Sequence, residues 1–355
     1  LLNNKKQFVL HYDAVSGNRL DLRNINGELV NETSRVSRFY ITKDDLIYAI
    51  IENENNGFDV LRIGEQNTEK VYHTARKILS LDVDPDGMGI MVHEQNPEDS
   101  ILNVVYLDPK TKTSFSLNEV LPRSFQRAFT EVISEGSIYF LKLWVNKPQK
   151  DTSLVDIWYG NDNRLEEKFC SPIDVLTYVW EPRKHFIRKM GTDHLPISIN
   201  TGNDRYFLSF DPYSLQDYRT ESTPLQLYVY DLMENRYALL DTIAPELYLS
   251  VDGNYALSPG SSGWYLYHIP SRSKKLINRK GLGTPWFTED GTTVLFEGEG
   301  AVWQYEINTE ALTRATTFEG YQTRILNGEW NDISANKSSI TKHQVHQIGR
   351  ASSRE

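Results

Sequence analysis

An all-β fold of repeated antiparallel sheets is what this sequence predicts, on three observations. Aromatic residues are abundant, with 20 Tyr, 14 Phe and 7 Trp in 355 residues, and Tyr and Trp suit pleated, half-buried surfaces. Apolar runs of period two recur along the chain, broken by turn pairs such as Asp-Gly that tolerate positive φ. The turns fall near residues 45, 87, 136, 203, 253 and 291, with successive gaps of 42, 49, 67, 50 and 38 residues. A period of about 40–50 residues with four strands in each is the spacing of β-propeller blades. The fold class is therefore a β-propeller of about six or seven four-stranded antiparallel blades over residues 1–326, a count that does not require a complete propeller. A β-sandwich is the alternative.

The first hairpin of each blade is read from the turn and the runs beside it. The segments are FYITKDDLIYAIIEN from Phe39, LDVDPDGMGIMVHEQ from Leu81, VISEGSIYFLKLWV from Val132, INTGNDRYFLSFD from Ile199, LSVDGNYALSP from Leu249 and FTEDGTTVLFEGEG from Phe287. A second hairpin follows in FDVLRIGEQNTEKV, LNVVYLDPKTKTSFSL, LQLYVYDLMENRYALL, GWYLYHIPSRSKKL and AVWQYEINTEALTRA. GNRLDLRNINGELV from Gly17 makes a seventh unit. The 67-residue gap needs an insertion. It lies in VDIWYGNDNRLEEKFCSPIDVLTYVWEPRKHFIRKM, with strand-like ends and a charged middle. Helix is expected almost nowhere outside residues 160–176. From Asn327 the alternation decays, so 327–355 reads as an irregular tail, and its last stretch, IGRASSRE, reads as not native. The chain starts at Leu1 without Met. The expectation is a fragment whose reading frame continues.

Composition excludes several function classes. The formal net charge of −10 argues against nucleic acid as a partner, which requires a basic face. No run of 18 apolar residues encodes a membrane span. A single cysteine, Cys170, allows no internal disulfide. The sequence contains no Gly-x-Ser-x-Gly, His-Glu-x-x-His, Cys-x-x-Cys, Gly-x-x-x-x-Gly-Lys-Ser/Thr or Gly-x-Gly-x-x-Gly. The eight histidines are scattered, and His343 and His346 fall in the tail. Asp84 to Gly87, DPDG, lacks the further oxygen ligands of a calcium loop and reads as a hairpin turn. No cofactor or metal is expected.

Two serines invite a catalytic reading. Ser261 and Ser262 stand between Gly260 and Gly263. A nucleophile elbow places its serine between a strand and a helix, whereas WYLYHI after Gly263 alternates as a strand. The expectation is a turn within one blade and no catalytic residue. Glu166 and Glu167, in the insertion, are the candidate substrate-binding residues, because a carboxylate pair can hold a cationic amino group.

The Asp-Gly blades, with VDIWYGNDNRLEEK followed by TYVWEPRKHFIRKM, GWYLYHI, GLGTPWFTEDGTTVLFEGEGAVWQYEI and RYFLSFDP, resemble the N-terminal propeller of prolyl oligopeptidase-family serine peptidases. The likeness is to a large, secreted, dipeptidyl peptidase-like type from Bacteroidetes-like bacteria, and covers residues 15–326. It implies that the Ser, Asp and His belong to an α/β-hydrolase domain outside this sequence, and that this chain alone hydrolyses nothing. It implies a gating role towards short peptides, in a periplasmic or secreted setting. It also implies that Glu166 and Glu167 match the paired glutamates with which related dipeptidyl peptidases bind a substrate's amino terminus, although Lys168 stands between the pair and Phe169. A stand-alone periplasmic propeller used for binding or scaffolding is the alternative. Oligomeric state is left open.

Overall fold

The structure, a computed structural model, describes residues 7–12, 18–42, 45–53, 57–65, 67–84, 89–134, 137–147, 164, 173–217, 219, 223–316 and 325. The chain is all-β, a propeller-type succession of seven antiparallel sheets, the first three-stranded and the other six four-stranded. It divides into two compact units, Leu1–Lys150 with Ser171–Met190, and Asp151–Cys170 with Gly191–Glu355.

The first unit holds four sheets. The first contains Gln7–His11, Arg19–Arg23 and Leu29–Ser34. The second contains Val36–Ile41, Ile47–Glu52, Phe58–Ile63 and Thr68–Thr74. The third contains Lys77–Val83, Ile90–Gln95, Leu102–Asp108 and Thr113–Ser116. The fourth contains Arg127–Ser134, Ile138–Asn146, Ile173–Glu181 and Phe186–Met190. GNRLDLRNINGELV is thus a blade of its own, with Gln7–His11 as a further strand ahead of it.

The second unit holds three. The fifth sheet contains Ile197–Asn200, Tyr206–Phe210, Leu225–Asp231 and Arg236–Ile243. The sixth contains Tyr248–Leu249, Tyr255–Gly260, Gly263–His268 and Ser273–Ile277. The seventh contains Pro285–Phe287, Thr293–Gly298, Ala301–Glu306 and Ala311–Arg314.

Period two explains how one sheet feeds two cores. Successive side chains point to opposite faces of a strand. In the third sheet Met91 enters a cluster with Tyr139, Leu141 and Trp180 of the fourth. Its neighbours Ile90 and Val92 enter a cluster with Tyr48, Ile50 and Val60 of the second. In the sixth sheet Trp264 and Leu266 meet Phe287, Val294 and Phe296 of the seventh, while Tyr267 meets Leu225, Leu227 and Val229 of the fifth. Each such aliphatic or aromatic side chain contributes about 1.5–3 kcal/mol on burial, and the second, third and sixth sheets collect this on both faces.

The hairpin turns share a local chemistry. Ser250 donates through its hydroxyl to Asp252 Oδ1 at 2.6 Å and accepts from the Tyr255 N–H at 2.9 Å. Thr288 does the same with Asp290 at 2.6 Å and Thr293 at 3.2 Å. Gly253 and Gly291 each take φ +67°, a left-handed conformation that glycine adopts without a Cβ penalty.

Helix is almost absent among the described residues, as expected. A four-residue helix, Leu117–Val120, and a 3₁₀ turn, Pro182–Lys184, lie outside residues 160–176. The fully buried Leu117 pins the first, and Pro182 at its start favours the second. Within the expected helical range, residues 173–176 are strand, because Ile173–Glu181 pairs along its whole length with Ile138–Asn146.

Candidate functional site

The third sheet turns one unusual face towards the fourth. Lys77–Val83 pairs with Ile90–Gln95 in the register Ser80↔His93, Leu81↔Val92 and Asp82↔Met91. The register shifts between Ile78 and Ser80, so Leu79 is an extra residue and the strand bulges, a device that re-aims side chains. Ser80, Asp82, His93 and Met91 therefore share a face, and Asp82 and His93 are diagonal neighbours across the strand pair. Met91 packs on the fourth sheet, so the polar members of this face look onto the fourth sheet's first strand, Arg127–Ser134.

There Thr130 completes a polar trio. The His93 Nε2 lies 2.8 Å from Asp82 Oδ2, and the Thr130 hydroxyl donates to the same oxygen at 2.5 Å. An ionised carboxylate only accepts, so Nε2 carries the proton of the first bond. Among the described residues Asp82 Oδ1 has no hydrogen-bond partner. The His93 side chain is 12% exposed and that of Asp82 50%. Desolvation raises the Asp82 pKa, but the hydrogen bond and charge of His93, with the hydrogen bond of Thr130, outweigh it and hold the carboxyl below its ordinary range. The trio borders a cleft of about 370 Å³ that Leu79, Ser80, Phe125 and Ala128 also line.

This arrangement is a fixed anion rather than a nucleophile with its base. The Thr130 proton already points at a carboxylate, and a carboxylate held at low pKa is a weak base. The sequence reading missed the trio. A signal exists in the repeat: two residues before the polar residue that ends each first strand stand Tyr40, Val132, Ile199, Tyr248 and Trp286, and only the third sheet has an acid, Asp82.

The serines form the expected turn. Ser261 and Ser262 form the two-residue turn between paired Gly260 and Gly263, with no helix after them and no hydrogen bond to a histidine. Glu166 and Glu167 lie outside the described residues, as do Cys170, His343 and His346. Two positions before the glutamates, the Arg164 guanidinium donates to Asp211 Oδ2. Asp211 is buried, follows the fifth sheet's second strand and accepts the Tyr213 N–H at 3.0 Å. In DPDG, Asp84 is buried and accepts the Tyr139 phenol at 2.7 Å, while 85–88 lie outside the described residues. Among the described residues no three His, Cys, Asp or Glu side chains converge as a metal site, and no helix is long and apolar enough to cross a membrane.

No family model matches the chain, and no curated protein matches it. Among solved structures it is similar to the β-propeller domain of the trilobed protease from Pyrococcus furiosus, at 11% identity over 88% of this chain and 94% of that one, with a TM-score of 0.38. It is similar to Porphyromonas gingivalis dipeptidyl peptidase 4 at 10% identity, over 88% of this chain and 52% of that one, with a TM-score of 0.46. A eukaryotic initiation factor gives 12% identity over 87% and 74%, with a TM-score of 0.47. At such identities the likeness concerns the fold.

Proposed function

We propose that this chain is the propeller of a prolyl oligopeptidase-like serine peptidase, periplasmic or secreted, that limits which peptides reach an α/β-hydrolase domain. The observation that carries this reading is the insertion between Ile138–Asn146 and Ile173–Glu181. It interrupts an otherwise regular blade, it is where the sequence resemblance is most specific, and its Arg164 is tied to the buried Asp211. An insertion held on a rigid β scaffold is a usual place for a binding residue. Glu166 and Glu167 there bind the free ammonium group of a short peptide. Each charge-assisted hydrogen bond contributes roughly 1.5–3 kcal/mol, so the pair selects peptides with an unblocked amino terminus.

The test uses the protein expressed together with its hydrolase domain. The ratio of kcat/KM for a free-amino peptide to that for its N-acetylated form is measured in wild type and in Glu166→Ala/Glu167→Ala. The ratio is expected to fall in the double variant, and an unchanged ratio refutes the assignment of the pair. Cleavage of a folded protein as fast as of a short peptide refutes the gating role.

A further inference from the structure

A carboxylate at residue 82 breaks the rule that the other blades follow. At the corresponding position of the second, fifth and sixth sheets stand Tyr40, Ile199 and Tyr248, all of which pack between sheets. An acid there forgoes that apolar burial and needs partners of its own. Among the described residues it has them on one oxygen only. His93 and Thr130 both serve Oδ2, which fixes the carboxylate in one orientation and leaves Oδ1 unengaged. Half of the Asp82 side-chain surface is open, and the cleft of about 370 Å³ is within the range that binds small ligands. Its other walls include the aliphatic Leu79 and Ala128 and the aromatic Phe125.

The cleft beside Asp59 in the second sheet provides a contrast. It is larger, about 550 Å³, but both carboxylate oxygens are occupied. His73 Nδ1 lies 2.6 Å from Oδ1 and Lys70 Nζ 3.7 Å from Oδ2. Asp59 is an acid with a built-in cation, Lys70, and a partner on each oxygen. Asp82 has a built-in orientation and an open oxygen.

We infer that the Asp82 cleft is a binding site for a primary ammonium group, received by Asp82 Oδ1, with the ligand's carbon chain against Leu79, Phe125 and Ala128. His93 and Thr130 are positioning residues, which hold the carboxylate so that binding does not have to order it. Across the strand pair Asp82 faces the His93 imidazole. From the fourth sheet Thr130 contributes a neutral hydroxyl and Arg127, stacked over the Trp144 ring at 5.0 Å, a guanidinium at the cleft's border, so the only fixed negative charge of the trio is Asp82. A peptide amino terminus and a lysine side chain carry the same chemistry.

The experiment titrates the full chain while the ring signals of His93 are followed by NMR, assigned with His93→Gln. The first probe is n-butylammonium and its neutral control is n-butanol. Trialanine amide, with only an α-ammonium, and Nα-acetyl-lysine methylamide, with only an ε-ammonium, separate the two sources. The His93 signals are expected to move with butylammonium and not with butanol. Asp82→Asn is expected to weaken the effect about tenfold or more, as loss of a charge-assisted hydrogen bond implies. D82Y installs the residue that the second and sixth sheets tolerate at this register, keeps the fold testable by its thermal midpoint, and is expected to abolish binding. Glu166→Ala/Glu167→Ala is expected to leave binding unchanged, so this inference and the proposed role of the glutamate pair fail separately. Equal responses to butylammonium and butanol, or affinity retained within twofold in Asp82→Asn, overturn the proposal.

Discussion

The seam between the third and fourth sheets and the seam between the sixth and seventh are built from the same repeat around apolar cores, but only the former also carries a row of buried or half-buried polar contacts among the described residues. The latter is aromatic. Trp264 meets Tyr248 edge-on at 5.6 Å and Phe296 at 6.0 Å between ring centroids, and the Trp264 N–H is satisfied by the Leu282 carbonyl at 3.1 Å. The former adds polar contacts to its apolar core at several levels. Tyr139 donates to the buried Asp84, Arg183 pairs with Asp108 at 2.9 Å and lies over Tyr106 at 5.6 Å, and Asp82 holds His93 and Thr130. A nonpolar seam needs only shape and volume. A polar seam needs each buried group matched, because an unpaired one costs about 1–3 kcal/mol. The difference teaches where to look for function: a repeat position that gives up apolar burial for matched polarity does so for a reason that packing does not supply.

The largest effect should come from the aromatic seam. Trp264→Ala empties a site 6% exposed and should cost about 4 kcal/mol, read by urea unfolding. A loss below 1 kcal/mol would mean that this seam is not the tighter one.

Gly89→Ala comes next. A Cβ at residue 89 would stand 2.5 Å from Asp84 Oδ2, the Tyr106 ring and the Tyr139 phenol oxygen together. Overpacking against three buried groups should cost about 3 kcal/mol. Gly291→Ala sharpens the point. There φ is +67° but the nearest atom is 3.5 Å away, so backbone strain alone remains, about 1 kcal/mol. If the thermal midpoint falls further for Gly291→Ala, crowding is not what the polar seam demands of Gly89.

Tyr139→Phe removes one donor from buried Asp84 and keeps the ring. Burial, reinforced by the Asp84 charge, holds the Tyr139 phenol well above its ordinary range, so in wild type it is a permanent donor. The expected cost is about 2 kcal/mol. Ser250→Ala, at the corresponding turn of the sixth sheet, should cost about 1 kcal/mol, since its partners Asp252 and Tyr255 sit closer to water.

The smallest effect is a pH dependence. Desolvation raises the Asp108 pKa, but the N–H groups of Thr111 and Lys110 and the charge of Arg183 outweigh it and depress the value. A depressed carboxyl stabilises the fold above its unfolded pKa of about 4, and the contribution disappears as pH falls through the folded value. Asp108→Asn should therefore cost about 1 kcal/mol at neutral pH and close to nothing in strong acid. A gap in thermal midpoint that does not narrow on acidification would rule out the charge as its source.

Much of the fold was legible because its signals are local. The Asp-Gly turns at 252–253 and 290–291 announce themselves, since few other pairs take that φ, and alternation on both sides identifies strands whichever way they pack. The short helix at Leu117–Val120 was not legible, because what pins it is a buried leucine and not a helical period. The Ser261-Ser262 turn was read correctly from the two glycines that close it. The Asp82 trio was not, because His93 stands 11 and Thr130 48 residues along the chain from Asp82, and no spacing in one dimension joins them.

By itself, then, the sequence determined the repeat: where strands begin and turn, which residues alternate to the two faces, and that a long insertion interrupts the fourth blade. Those follow from backbone conformation and from period-two hydrophobicity, which act over a few residues. Only the tertiary structure decided which faces meet. The bulge at Leu79 and the packing of Met91 on the fourth sheet bring Thr130 to Asp82, and that meeting depends on the register and stacking of whole sheets. It is stacking that turns one acid in a row of aromatic and aliphatic residues into an oriented carboxylate beside a cleft.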